Sequence, residues 1–276
     1  MSKGASPDEG TNMETVTSAD RTEIAFERTG SGPPLVLIHG TSVDHRYWDL
    51  VGVAPAFAAQ YTVYAIDRRG RGESGDAEKY GLEREVEDMV AVIESIDEPV
   101  VLLGHSFGAL IALEAARGTE NLRSLILYDL AAWGELNDHI ADVGVRLKEL
   151  FDAGEGEEAL VMFLKEFAGL DEETIESRRA GPHWQDRVDA FHTVLREGHA
   201  LSTYTFDLDS FETMTTPTLI LLGGESVESF KQTSTRVSEM LPNARLLVLE
   251  GQDHVAWEDA LDRFVDEVRS FNRETD

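Results

Sequence analysis

Residues 100–116 read Val100-Val101-Leu102-Leu103-Gly104-His105-Ser106-Phe107-Gly108-Ala109-Leu110-Ile111-Ala112-Leu113-Glu114-Ala115-Ala116. The first four form an apolar run too short for a helix, the pattern of a strand buried on both faces. From Ala109 onward the composition is that of an apolar helix. Between the two, Gly104-His105-Ser106-Phe107-Gly108 matches G-x-S-x-G in the strand–turn–helix setting that a nucleophile elbow requires. Such a turn strains the backbone at its central residue and lifts the Ser106 hydroxyl clear of the sheet. The positions two before and two after approach closely, so Gly104 and Gly108 carry no side chain. The Phe107 N–H then points toward an oxyanion formed beside Ser106.

The same short apolar runs recur on either side. Segments 35–38, 61–66, 125–128, 218–222 and 246–249 read as strands, and 13–18 with 21–28 as a hairpin around Ala19-Asp20. Helical stretches lie at roughly 46–59, 82–96, 107–117, 227–241 and 257–271. Strand alternating with helix predicts an α/β fold with a mostly parallel central sheet flanked by helices. The rhythm stops between 132 and 206. There Ile140, Val143, Leu147 and Leu150, then Leu160, Phe163, Leu164 and Phe167, then Val188, Phe191, Val194 and Leu195 repeat at helical spacing. Three or four amphipathic helices are expected there, as an inserted all-helical cap over a core of 13–131 and 207–276. Segment 1–12 is polar and is expected to be a disordered tail.

The chain has 276 residues, of which 53 are Asp or Glu and 24 Lys or Arg, a formal net charge of −29. That excess argues against nucleic acid and anionic membrane surfaces as partners, since both need clustered cations. The basic residues are 5 Lys and 19 Arg. Scarce Lys with abundant acid resembles the composition of proteins from salt-in halophiles, in which screening relieves the self-repulsion. There is no Cys, so neither a thiolate metal site nor a Cys nucleophile is available. No stretch reads as a secretory signal or a membrane span, so a cytoplasmic location is expected. A monomer or homodimer acting on a small molecule without cofactor or metal is the matching expectation.

The motifs together resemble those of the α/β-hydrolase family, over about residues 13–271. They are His39-Gly40 after one strand, Asp67-Arg68-Arg69-Gly70-Arg71-Gly72-Glu73-Ser74 after the next, the elbow at 104–108, and Gly251-Gln252-Asp253-His254 near the end. The resemblance implies that the residue after His-Gly, Thr41, supplies a second oxyanion N–H beside that of Phe107. It also implies a chain order of nucleophile, acid, histidine, which makes His254, in the loop between the last strand and the last helix, the base for Ser106. His105 is read as elbow packing.

The acid departs from the common pattern. Family members often carry Asp shortly after the strand that is 218–222 here, but this chain reads Gly223-Gly224-Glu225-Ser226, with Ser226 in the usual slot. Some members place the acid at the end of the strand before the cap, which is Asp129 here. Asp129 is the expected acid and Glu225 the alternative. The implied activity is a serine hydrolase cleaving a carboxylic ester or related acyl bond. Carbon–carbon bond hydrolysis, a lyase step and a non-catalytic binding role on the same scaffold are the alternatives. Trp133, Phe163, Phe167 and Trp184 are candidates to line an apolar pocket. Gly70-Arg71-Gly72-Glu73-Ser74-Gly75 spells a dinucleotide fingerprint, but no apolar helix opens on it, so a chance match is expected.

Overall fold

The computed structural model describes residues 13–131, 137–206 and 208–275; the expected tail 1–12 and Trp133 lie outside them. Eight strands form one sheet: β1 (Met13–Thr17), β2 (Glu23–Gly30), β3 (Pro34–Ile38), β4 (Thr62–Ile66), β5 (Val100–His105), β6 (Leu122–Tyr128), β7 (Thr218–Gly223) and β8 (Ala244–Leu249). Their order is β1-β2-β4-β3-β5-β6-β7-β8. The hairpin β1–β2 is antiparallel, β2 meets β4 antiparallel, and every later pairing is parallel. This is the α/β-hydrolase fold.

The apolar runs are explained by the two layers that cover the sheet. Leu35, Leu37, Val101, Leu103, Ile126, Leu219 and Leu221 point to one face. Val36, Ile38, Leu102, Leu125, Leu127 and Ile220 point to the other. Helices α1 (Arg46–Leu50), α2 (Val53–Ala58) and α11 (Trp257–Glu274) pack on the first face. Helices α3 (Leu82–Glu94), α4 (Phe107–Ala115) and α10 (Glu228–Met240) pack on the second. The stretch expected as one helix over 46–59 is two, because Gly52 adopts φ 77° between them.

Five α-helices rather than three or four, followed by a 3-10 turn at Leu208–Phe211, lie between β6 and β7 among the described residues. They are α5 (Asn137–Asp152), α6 (Gly156–Glu166), α7 (Glu172–Arg179), α8 (Trp184–Asp189) and α9 (Phe191–Thr203). Helix α7 escapes a periodicity reading because Ile175 is its one apolar residue and its only buried one, and α8 spans only six residues. Val143, Leu147, Leu160, Leu164, Phe191 and Val194 join the core of the first face, so the segment shares that core.

The register decides what meets at the strand ends. Ile38 pairs with Gly104, His105 with Tyr128, Tyr128 with Leu221, and Gly223 with Leu249. The residues that follow β3, β5, β6, β7 and β8 therefore emerge together at the carboxyl edge of the sheet, where loops in α/β folds build sites.

Candidate active site

Ser106 stands between β5 and α4 at φ 57° and ψ −120°, a conformation that L residues rarely adopt. Its N–H donates to the Tyr128 carbonyl (3.0 Å), and its own carbonyl accepts from Ala109 and Ala131. The glycines permit the turn. A Cβ on Gly108 would stand 2.5 Å from the carbonyl oxygens of Ile38 and His39, and one on Gly104 would meet Ala109 Cα at 2.7 Å. Neither contact is tolerable for backbone atoms.

His254 is buried, and its ring lies between two others. Phe230 stacks on it at 4.3 Å and 6°, and His105 stands 4.5 Å away on a tilt. His105 also holds the loop, since its Nε2–H donates to the His254 carbonyl at 2.9 Å. Burial and the neighbouring His254 push the His105 pKa well below the usual histidine value, so it is a neutral donor. Tyr128 braces the same loop: its hydroxyl donates to the Asp253 carbonyl and accepts from the Ala256 N–H.

His254 Nδ1 meets Asp129 Oδ2 at 2.9 Å. Asp129 is fully buried at φ 45°, just beyond β6. Asp is among the residues that tolerate this left-handed region. The Gly223 N–H donates to Asp129 Oδ1 (2.9 Å) and the Ser226 hydroxyl to Oδ2 (2.5 Å). Ser226, just after β7, thus hydrogen-bonds a carboxylate brought from the neighbouring strand. Glu225 is exposed, and its backbone N–H is spent on the Gln252 carbonyl.

The loop after β3 lies against Ser106: a Cβ on Gly40 would be 3.1 Å from the Ser106 Cβ. The Gly40 carbonyl accepts from His39 Nδ1–H (2.8 Å) and from Arg68 Nη1–H (3.1 Å). In a planar trans peptide the next N–H points the opposite way. Clamping the Gly40 carbonyl therefore fixes the direction of the Thr41 N–H. His39 Nε2 accepts from the Arg68 N–H, so the ring is the neutral Nδ1–H tautomer. Burial, with the Arg68 and Arg71 charges, lowers its pKa to about 3. Arg68 is in turn held by Glu85 and by Glu197 of α9, which also pairs with Arg71.

Sequence reasoning noted Ser226 and Arg68 but gave them no role, and passed over Tyr128. The signals it had were a pair of arginines directly after a buried strand and a serine in the slot after 218–222.

Gly40, Thr41, Ser106, Phe107 and His254 line one cavity of about 160 Å³. Phe163, Leu164, Phe167, Leu170, Phe230 and Val255 supply much of its apolar wall. Phe163 and Phe167 thus face the site, whereas Trp184 does not. It is buried in a neighbouring groove and donates to Glu157 at 3.0 Å.

The Gly70–Gly75 loop closes on itself through a Gly70 N–H to Gly75 carbonyl bond, and the next helix starts only at Leu82. Among the described residues, Asp44, His45 and Asp67 are the one group close enough to share an ion. Asp67 already accepts from His45 and Glu73, and Asp44 from Arg46. That group is satisfied within the fold and lies outside the Ser106 cavity.

The model of the Alpha/beta hydrolase family matches residues 35–267. A pimeloyl-[acyl-carrier protein] methyl ester esterase of Aeromonas hydrophila is 27% identical, covering 90% of this chain and 98% of that protein. A non-heme chloroperoxidase of Kitasatospora aureofaciens is 27% identical, covering 88% and 92%. Among solved structures, an alpha/beta hydrolase from Sphaerobacter thermophilus superposes with a TM-score of 0.78 at 32% identity, covering 93% of this chain and all of that one.

Proposed function

Because the chain belongs to the alpha/beta hydrolase family, we propose that it is a serine hydrolase that cleaves a carboxylic ester or a related acyl bond. One observation carries this reading. Ser106 sits on a strained turn, and His254, which lines the same cavity, has its Nδ1 2.9 Å from the buried Asp129. The esterase among its relatives supports the acyl chemistry.

In this proposal Ser106 Oγ attacks the substrate carbonyl while His254 Nε2 takes the hydroxyl proton. Asp129 accepts the Nδ1–H, holds the tautomer and stabilises the imidazolium. The N–H groups of Thr41 and Phe107 receive the negative oxygen of the tetrahedral intermediate. The intermediate collapses as His254 returns the proton to the leaving alcohol, giving an acyl-enzyme. Water, deprotonated by His254, then releases the acid and restores Ser106. The helices between β6 and β7 act as a cap whose Phe163 and Phe167 shape the apolar part of the site. The remaining expectations belong to the same reading: a cytoplasmic protein, monomer or homodimer, adapted to high salt.

The test is labelling with a fluorophosphonate in high salt, wild type beside Ser106→Ala, read by intact mass. A panel of p-nitrophenyl esters is run on the same samples. A single adduct and ester turnover, both lost in the variant, are expected. A folded wild type that takes no label would overturn the role given to Ser106. Labelling without turnover of any ester would redirect the reading to another reaction on the same residues, or to ligand binding.

A further inference from the structure

Among the described residues, Glu166, Arg178 and Arg187 are the charged ones in the wall of the Ser106 cavity. Arg178 is ion-paired with Glu258. Arg187 differs: its Nε–H donates to the Ser42 carbonyl (3.0 Å) and its Nη2–H to the Ser42 hydroxyl (2.9 Å). Among the described residues no carboxylate lies within ion-pairing distance of it. Shortage of carboxylates is not the reason, in a chain with 53 acidic and 24 basic residues. Other arginines that reach into the fold, Arg68, Arg69, Arg71 and Arg196, each have an acid partner. Arg187 is half-buried, and besides Ser42 it faces the Trp184 ring at 6.0 Å, so the groups around it are neutral dipoles and a ring that leave its charge open to an anion.

We propose that Arg187, with Arg178 beside it, is an anion-recognition subsite of the Ser106 cavity. The substrate is then an acyl compound that also bears a carboxylate. The inference rests on the serine hydrolase reading for the chemistry but not for the binding.

Position defines the substrate further. Arg187 grips Ser42, the residue next to Thr41. Consecutive Cα atoms are about 3.8 Å apart, so the guanidinium stands within a few bonds' reach of the oxyanion position. Arg178 and Arg187 also line the adjoining groove with Val43, Tyr47 and Trp184, so the cation pair stands where the two spaces meet. Phe163, Leu164 and Phe167 line the same cavity with apolar surface. A short acyl compound with one apolar portion and one carboxylate near the scissile carbonyl matches both kinds of lining. Burial, together with the positive charges of Arg178 and Arg71, lowers the Arg187 pKa to about 10. It stays protonated at neutral pH, and a carboxylate relieves the crowding of like charge. Guanidinium and carboxylate match as a planar, two-pronged pair.

The experiment compares mono-4-nitrophenyl glutarate with the uncharged 4-nitrophenyl pentanoate at one fixed ionic strength. Wild type is expected to favour the anionic ester in kcat/KM, and Arg187→Gln to lower the anionic-to-neutral ratio by about tenfold or more. Arg187→Lys keeps the charge and is expected to lie between. An unchanged ratio in Arg187→Gln, with both esters slowed alike, would show that Arg187 only braces the Ser42 loop and would overturn the inference. So would Arg187→Lys falling as far as Arg187→Gln. A second arm needs no turnover: calorimetric binding of monomethyl glutarate to Ser106→Ala, with and without Arg187→Gln. Affinity that depends on Arg187 upholds the subsite even if no ester is ever hydrolysed. Equal affinities overturn it even if the hydrolase reading stands.

Discussion

Asp129 and His254 are 125 positions apart in the chain and 2.9 Å apart in space. The contact is made by the loops after β6 and β8, the strands on either side of β7. Asp129 reaches it from a left-handed backbone position, φ 45°. Its carboxylate also accepts from Gly223 and Ser226, so its charge is hydrogen-bonded although fully buried.

Replacing Asp129 with Asn keeps the shape but offers an amide where Nδ1–H needs an acceptor. On the proposed mechanism kcat falls by about 10³ to 10⁴. Glu225→Gln, at an exposed position, is expected to change kcat less than about twofold. Steady-state kinetics on one ester decides between the acids: the reverse pattern would transfer the role to Glu225.

Ser226→Ala removes one of the hydrogen bonds to the buried Asp129 carboxylate. A hydrogen bond to a charged group contributes about 1.5 to 3 kcal/mol. Urea unfolding should show a loss of that size, with a smaller drop in kcat than Asp129→Asn causes. Unchanged stability would mean that water replaces the hydroxyl.

Gly108→Ala forces a methyl against the Ile38 and His39 carbonyls at 2.5 Å. Backbone atoms cannot yield as a flexible side chain would. The expected cost is about 3 kcal/mol or more, read from the urea midpoint. Because the displaced strand end leads into Gly40 and Thr41, activity should fall faster than stability.

His39 and His105 are neutral in the fold, with pKa values below the ordinary 6.5. As pH falls through 6.5, the unfolded chain binds protons at these positions and the folded chain does not. Stability is therefore fully present above that pH and declines below it. The decline approaches about 1.4 kcal/mol per pH unit for each histidine. For His39 it continues until pH nears about 3. His105→Asn should lower the steepness of the acid limb by one proton, measured by urea titrations from neutral to mildly acidic pH. An unchanged slope would count against a neutral His105.

With a formal charge of −29, the fold should gain stability from salt well beyond the range of ordinary screening. At about 1 M salt the Debye length is roughly 3 Å. Circular dichroism during stepwise dialysis should show helix content falling as salt is removed. A spectrum unchanged in dilute buffer would end the high-salt reading.

The legible parts of this protein are those encoded by neighbouring residues. A buried parallel strand must be apolar on both faces, so 35–38, 100–103, 125–128 and 218–222 were readable as strands. A turn as tight as 104–108 admits only glycine at its flanks, so the placement of Ser106 was readable too. Helix α7 was not, since Ile175 is its one apolar residue, and α8 was read through Val188 only as part of one helix with α9.

What the tertiary structure decided is which distant groups meet. Nothing local distinguishes Asp129 from Glu225 as the neighbour of His254. The register of β6, β7 and β8 does, by bringing three loop ends together and leaving Glu225 in solvent. The clamp of His39 and Arg68 on the Gly40 carbonyl, and the hold of Arg187 on Ser42 in the cavity wall, are of the same kind. Backbone conformation is set by contiguous side chains, whereas a charge acquires its partner only when the chain has folded around it.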